Sequence, residues 1–413
     1  MKNTATLLLA VFLLSIGTTA VAQKANEPAQ SFYRNKHRQE ITIPQILGYN
    51  VYTADLHTHT IYSDGNVTPE LRVREAWQDG LDILAITDHI EYRRIERELI
   101  RYMGEYIKEE YRNLPKGVNT NLQGDAADER GILANLNVGY EKAAESNEQY
   151  GLLIVRGAEI TRNEGHFNAI FTTDNNQIYH PDIETSIRNA IAQGAFVFHN
   201  HPKHDKSTQS TMTPLAEHLH GEGLLRGIEL CNGPVMWSRL ISHCLDNGYP
   251  PISTSDGHST IAERFYPRHN NGCYRNMTLI LANKCDEQSI KQALFDGRTI
   301  AYHNNKLIGK EEYLAALFEA SISIEHMCDN KKETMVIVTN KSSFPYQLKF
   351  GQKTAVVEAM GAVQLTLPKG DSEVEFVVQN LISGNGKRPK VKMSFKRKPT
   401  NQYLKENPTW YPH

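Results

Sequence analysis

Histidines and carboxylates recur where short apolar runs end. Asp55-Leu56-His57-Thr58-His59-Thr60 follows the run Tyr52–Ala54. In an extended chain residues i and i+2 share a face, so His57 and His59 project together. Asp64 follows in a Ser-Asp-Gly turn that can swing its carboxylate back toward them. Ile86-Thr87-Asp88-His89 ends a second run, and Gly157-Ala158-Glu159-Ile160, with Gly165-His166 just after, ends a third. Phe198-His199-Asn200-His201-Pro202 and Ser253-Thr254-Ser255-Asp256-Gly257-His258 close two more. A single histidine of this kind is more often a plain surface or core residue. Recurrence at the C-terminal end of run after run is different, because in barrel-type α/β folds those ends converge on one mouth. Imidazole and carboxylate without thiolate form a donor set suited to Zn²⁺, Mn²⁺ or Fe²⁺.

The elements that must position these residues follow from the spacing. Leu81–Thr87, Leu152–Val155, Ala195–Phe198, Gly227–Leu230 and Pro251–Thr254 read as strands, with helices expected over Thr68–Gln78, Ile183–Gln193 and Met236–Asn247. Thr68-Pro69-Glu70 supplies an N-cap, a proline at the first helical position and an acid in the first turn. The segment 93–149 exceeds one strand–helix unit and reads as a helical insertion, broken by a Gly/Asn/Asp-rich loop around Lys116–Asp128. Beyond Ile308 the pattern changes to short strands at Met335–Val338, Ala355–Val357, Val363–Leu367, Val374–Val378 and Val391–Phe395. Several alternate apolar with polar residues, the pattern of a small antiparallel sandwich. It carries almost no histidine and is expected to be structural or to help shape the edge of the site.

Length and composition set the outer bounds. The chain has 413 residues, 45 basic against 47 acidic, and 17 histidines. A net charge of −2 gives no basic field for nucleic acid, and no such partner is expected. Lys2, the apolar run Leu7–Ile16 and the small-x-small Ala20-Val21-Ala22 read as a signal peptide over residues 1–22. The run is short for a membrane span. A mature chain starting near Gln23 is therefore expected outside the cytoplasm, in the periplasm or secreted, with no stable membrane insertion. Residues 23–47 are a polar lead-in and 399–413 a polar, proline-punctuated tail. The five cysteines show neither CxxC pairing nor a disulfide framework.

DLHTHTIYSDG, ITDH, GAEI with its trailing GH, NHP and TSDGH together resemble, in order, the motifs of the PHP (polymerase and histidinol phosphatase) superfamily. The resemblance covers about residues 48–305, within a domain expected over 48–308. It implies an α/β fold, a distorted (β/α)7 barrel, here followed by the β-sandwich over 309–398, and two to three divalent metal ions. Carried onto this chain, His57, His59, Glu159 and Asp256 would hold the first metal. Glu159 would bridge to a second, held also by His166 and His201, while Asp64, His89 and His258 would hold a third. The family's ligand precedes proline, which selects His201 over His199, although both are expected to face the mouth. Asp88 and His199 are the candidate proton carriers.

Such a site would activate water to cleave a phosphoester. Arg93, Arg94, Lys203, Arg264 and Arg268 flank the motifs and are candidate phosphate contacts. The stretch Asp88–Arg93, the Cys231-Asn232-Gly233 turn, export and the β-domain resemble a bacterial PHP subgroup linked to phosphodiester cleavage. A small-molecule phosphodiester is thus the leading substrate. The alternatives are a phosphomonoester, as for histidinol phosphatase, or an inactive metal-stabilised binding module.

Overall fold

The computed structural model describes residues 37–93, 118–120, 132–202, 212–265 and 274–397. Those from Gln39 onward belong to one compact unit, Gln39–His413. The expected signal peptide, most of the lead-in and the tail lie outside the described residues.

The apolar runs fold as strands: β1 (Asn50–Asp55), β2 (Ile83–Ile86), β3 (Val118–Thr120), β4 (Ile132–Ala134), β5 (Leu153–Arg162), β6 (Gly165–Ile170) and β7 (Phe196–His199). Next come β8 (Gly227–Asn232), β9 (Val235–Met236), β10 (Pro251–Thr254), β11 (Met277–Ala282), β12 (Thr299–His303) and β13 (Lys306–Gly309). The C-terminal part adds β14 (Ile322–Asp329), β15 (Glu333–Asn340), β16 (Tyr346–Phe350), β17 (Lys353–Val357), β18 (Ala362–Pro368), β19 (Glu373–Val378), β20 (Leu381–Ile382) and β21 (Lys390–Ser394).

One 12-stranded sheet runs β10-β8-β7-β6-β5-β2-β1-β11-β12-β13-β20, with β9 hydrogen-bonded to β8. Pairing is parallel for β1/β2, β2/β5, β7/β8 and β8/β10, but β6 and β11 run antiparallel to both neighbours. These reversals are the distortion from a regular barrel. The sheet curls until β10 meets β11 and β12, where hydroxyls join the two sides. Thr278 Oγ1 accepts from Ser253 N–H at 3.0 Å, Ser253 Oγ donates to Tyr302 O at 2.8 Å, and Thr299 Oγ1 donates to Pro251 O at 2.9 Å.

Alternation along the strands sorts the core. Ala54, Ile83, Ala85, Val155, Ile170, Phe196, Phe198, Ile252 and Ile280 fill the barrel interior. Leu84, Ile86, Leu279 and Leu281 point outward to join the helices and the sandwich in a second layer. The expected first helix is α1 (Pro69–Gln78), whose N-cap Thr68 accepts from Leu71 N–H. Helices α2 (Val138–Ser146), α3 (Ile183–Ala192), α4 (Pro214–Gly221), α5 (Leu240–Asp246), α6 (Ile261–Phe265), α7 (Glu287–Phe295) and α8 (Glu311–Ser321) follow.

Two expectations are corrected. The described part of the 93–149 insertion holds the hairpin β3/β4 as well as helix α2. The helix expected from Met236 starts only at Leu240, because Gly233, with φ +50°, reverses the chain and sends Val235–Met236 back along β8.

The C-terminal strands form sheets β14-β15-β18 and β17-β16-β19-β21. Inward residues of the two sheets, among them Val336, Val338, Leu348, Phe376 and Val378, bury one another. Strand β20 leaves the sandwich and pairs parallel with β13, Leu307 opposite Leu381 and Ile308 opposite Ile382.

Candidate metal centre

The loop after β1 stays extended, Thr58 bridging to Gly257, and this carries His57 and His59 to the mouth side by side. Buried Arg72 of α1 fixes that loop against the one after β10, donating to the carbonyls of His59, Gly257 and Ser259 at 3.1, 2.8 and 3.1 Å. Gly65 lets the Ser-Asp-Gly turn fold back on itself, since a Cβ there would lie 2.7 Å from the Thr60 carbonyl oxygen. Asp64 is thereby returned toward the histidines.

The nine expected ligands come together in three overlapping groups. In the first, His57 Nε2 and His59 Nε2 lie 3.0 Å apart, each 3.1 Å from Glu159 Oε2 and 3.4 and 3.2 Å from Asp256 Oδ1. In the second, Glu159 Oε1 lies 3.0 Å from His166 Nδ1 and 3.4 Å from His201 Nε2. In the third, Asp64 Oδ2 lies 3.1 Å from His258 Nε2 and 3.5 Å from His89 Nε2, with His59 alongside. Ligands arranged tetrahedrally on bonds of about 2.0 Å sit about 3.3 Å apart, and the first group matches that spacing. The donor set and its geometry therefore fit divalent metals, with Glu159 offering one oxygen to each of two groups.

Charge among the donors is arranged accordingly. Burial works to lower His57 and His59, but Asp256, Glu159 and, for His57, Glu229 outweigh it; His57 is raised well above its ordinary value and His59 to about 10. Burial likewise opposes ionisation of Glu159 and Asp256, yet the surrounding imidazoles hold both well below the usual carboxylate range. Metal binding to such donors is coupled to release of protons.

Residues that the sequence reading passed over complete the site. Glu229, fully buried in β8, accepts from His57 Nδ1–H at 2.7 Å, Thr254 Oγ1 at 2.7 Å, Asn232 Nδ2 at 3.0 Å and His201 N–H at 2.6 Å. A carboxylate on Nδ1 leaves His57 Nε2 bare toward the other donors. Asn200 Nδ2 donates to Glu159 Oε1 at 3.0 Å and anchors the shared carboxylate. Both ligands at tight loops, His201 (φ +23°) and Asp256 (φ +49°), have left-handed backbones, a strain that clusters at functional sites.

The candidate proton carriers are placed elsewhere. Asp88 accepts from Thr60 N–H at 2.6 Å, Thr60 Oγ1 at 2.7 Å and Ser63 Oγ at 2.8 Å, so its carboxylate fixes the Thr60–Ser63 turn instead of serving the cleft. His199 does not face the mouth. It keeps the outward phase of Val197 and stacks on Phe167, ring centroids 5.1 Å apart. Burial, with His201 and His166 nearby, pushes it down to about 3, so it stays neutral. The two-residue alternation breaks at His201, whose left-handed backbone turns its ring to Glu159 despite the following proline, which ordinarily favours an extended residue. His201→Ala should therefore cost metal at the second group and abolish turnover. His199→Ala should keep full metal content and turnover within a few-fold, its cost falling on stability at about 1–3 kcal/mol. Metal stoichiometry, rates and thermal melts of the two variants check this; metal loss from His199→Ala would overturn it.

Of the candidate phosphate contacts, Arg93 is 1% exposed and donates to the Asn135 carbonyl, so it does not reach the cleft. Arg264 lies on α6, its side chain outside the described residues, as are Arg94, Lys203 and Arg268 altogether.

The ligands open onto a cleft of 460 Å³ lined also by Asn232, Pro234, Val235 and Trp237. Comparison with known proteins bears on its chemistry. The PHP domain model matches residues 55–233. A two-domain protein containing a predicted PHP-like metal-dependent phosphoesterase, from Bacteroides vulgatus, is 30% identical with a TM-score of 0.73, over 87% of this chain and 99% of its own. The chain belongs to the PHP family. A putative metal-dependent phosphoesterase from Bifidobacterium adolescentis aligns at 16% identity over 50% of this chain and 88% of its own, TM-score 0.33. An amidohydrolase from Chromobacterium violaceum aligns at 14% over 51% and 89%, TM-score 0.33. Both of these likenesses are slight. Among curated proteins none matches. Membership of the PHP family predicts a metal-dependent phosphoesterase, and the donor groups are ones that could bind the metals.

Proposed function

We propose that the chain hydrolyses phosphodiesters of small molecules, outside the cytoplasm. The observation that carries the diester reading is the cleft lining. Beyond the donors the cleft widens to 460 Å³ against Asn232, Pro234, Val235 and Trp237, which gives room and apolar surface for the second ester substituent that a phosphomonoester lacks. Bound metals would supply Lewis acidity, lowering the pKa of water and neutralising phosphoryl oxygens. The chain's own side chains then hold and orient. Glu159 ties two donor groups together, Glu229 and Asn200 fix the ligands, and Arg72 locks the two loops that carry them. The donor set is of the kind that activates water, which would serve as the nucleophile.

The test is hydrolysis of bis(4-nitrophenyl) phosphate against 4-nitrophenyl phosphate by protein loaded in turn with Mn²⁺, Zn²⁺ and Fe²⁺. We expect kcat/KM for the diester to exceed that for the monoester by at least about tenfold. The reverse order would replace the diester reading by a phosphomonoesterase. No turnover with any metal would leave a binding module. Export rests on Lys2, Leu7–Ile16 and Ala20-Val21-Ala22. Among the described residues, none of the helices is long and apolar enough to cross a membrane. Mass spectrometry of the chain from its producing cell should find Gln23 at the N-terminus; a full-length product would sink this part.

A further inference from the structure

Strand β9 has no role in holding the metal donors, yet it forms one wall of their cleft. Gly233-Pro234 turns the chain back along β8, pairing Asn232 with Val235 and Cys231 with Met236. Residues i and i+2 of an extended segment share a face. Val235 and Trp237 accordingly both line the cleft opposite His166, His201 and His258. Val235 is 46% exposed, an unusual place for a valine at the rim of a polar site. Trp237 is partly buried, its side chain packed on the core layer under α5 and its backbone N–H donating to Leu230 O at 2.9 Å.

This wall is held in fixed register with the ligands. Asn276 Nδ2 donates to Gly233 O at 2.7 Å and to Thr254 O at 2.9 Å, while Gly233 N–H donates to Thr254 O at 3.1 Å. Thr254 ends the strand that delivers Asp256 and His258. The hairpin and the donors after β10 are thus tied at one point, and the wall cannot drift from the metals without breaking those bonds. A rigid apolar surface with one aromatic ring, next to a phosphoryl-binding centre, suits a flat hydrophobic group that can lie on the ring and against the valine.

We propose that Val235 and Trp237 form a subsite for a planar aromatic or heteroaromatic group borne on the phosphorus substituent, making the preferred substrates aryl-type or nucleobase-bearing esters. This rests on the phosphoesterase reading but not on the preference for diesters. The probes are phenylphosphonate and methylphosphonate, whose C–P bonds resist hydrolysis, titrated into Mn²⁺-loaded protein by calorimetry. Wild type should bind phenylphosphonate about tenfold more tightly than methylphosphonate. Trp237→Ala should erase that preference while leaving methylphosphonate affinity and metal content unchanged, and Trp237→Phe should restore most of it. Replacing phenyl by a purine on the same phosphonate distinguishes the two ring sources.

Equal binding of the two probes by wild type, or full phenyl preference in Trp237→Ala, would overturn the subsite while leaving the phosphoesterase reading intact. Loss of metal from Trp237→Ala would also overturn it, because the residue would then act on the donors. Failure of both phosphonates to bind metal-loaded wild type would overturn the phosphoesterase reading and the subsite with it.

Discussion

Glu159→Gln is expected to strip at least one metal from the protein and to lower kcat/KM by at least about 10³-fold, with the fold retained. Each carboxylate oxygen has its own group: Oε2 is 3.1 Å from His57 and His59, and Oε1 is 3.0 Å from His166. A glutamine keeps the shape but replaces one oxygen by an NH₂ that cannot donate a lone pair to a metal. It also removes the negative charge that both groups share. The backbone of Glu159 is secured independently, paired with Asn168 in the β5/β6 ladder. Circular dichroism should therefore be unchanged while elemental analysis shows the missing metal. Normal metal content with near-normal turnover would show that Glu159 is not the bridge.

The second large effect is expected one layer out, at a residue that reaches no metal group itself. Glu229→Gln should cost about 10- to 100-fold in metal affinity or turnover. Its two oxygens receive four donors, from His57, Thr254, Asn232 and the His201 backbone. An amide cannot accept on both sides. If its NH₂ faces His57, two N–H groups collide and the imidazole must rotate or change tautomer. If it faces His201, the hydrogen bond at that strained backbone is lost. Burial opposes the Glu229 charge, but His57 and His201 hold its carboxyl below the ordinary range, so the ionised form is the one to be replaced. Titrating Mn²⁺ into chelator-treated wild type and variant measures the loss. Indistinguishable isotherms and rates would remove Glu229 from the site.

Much of this site was legible because its ligands sit at strand ends in short, distinctive clusters. Ordered pairs such as His57/His59 and Asp256/His258 need only local geometry to be found. Glu229 was passed over for a physical reason: it lies inside a run, Gly227–Asn232, that is buried throughout and reads as plain strand. The one signal was a carboxylate in that otherwise apolar stretch, where an ionised group requires partners. His199 was misplaced because the left-handed turn at His201 depends on Glu229 and other distant groups, and nothing local announces it. Asp88 looked catalytic beside His89, yet the Thr60–Ser63 turn that occupies it lies about 25 residues upstream. Strand β14 escaped notice because its burial alternates poorly, and β16 because it is only five residues long, although its alternation is as strict as that of β19.

Strand β20 has a consequence for how the chain can be divided. Its residues lie beyond nearly the whole sandwich in sequence, but they pair with β13 and supply the last strand of the barrel's own sheet, and Asn380 ties that seam by accepting from Leu307 N–H at 3.0 Å. Cutting after residue 308 would strip that partner and bare an open sheet edge flanked by Leu307 and Ile308, the kind of edge that recruits other chains. The catalytic half and its β-rich companion are thus poor candidates for separate lives: neither a minimal enzyme nor a transplantable module ends at the apparent border, and loss of the late strands would be felt as insolubility of the early ones.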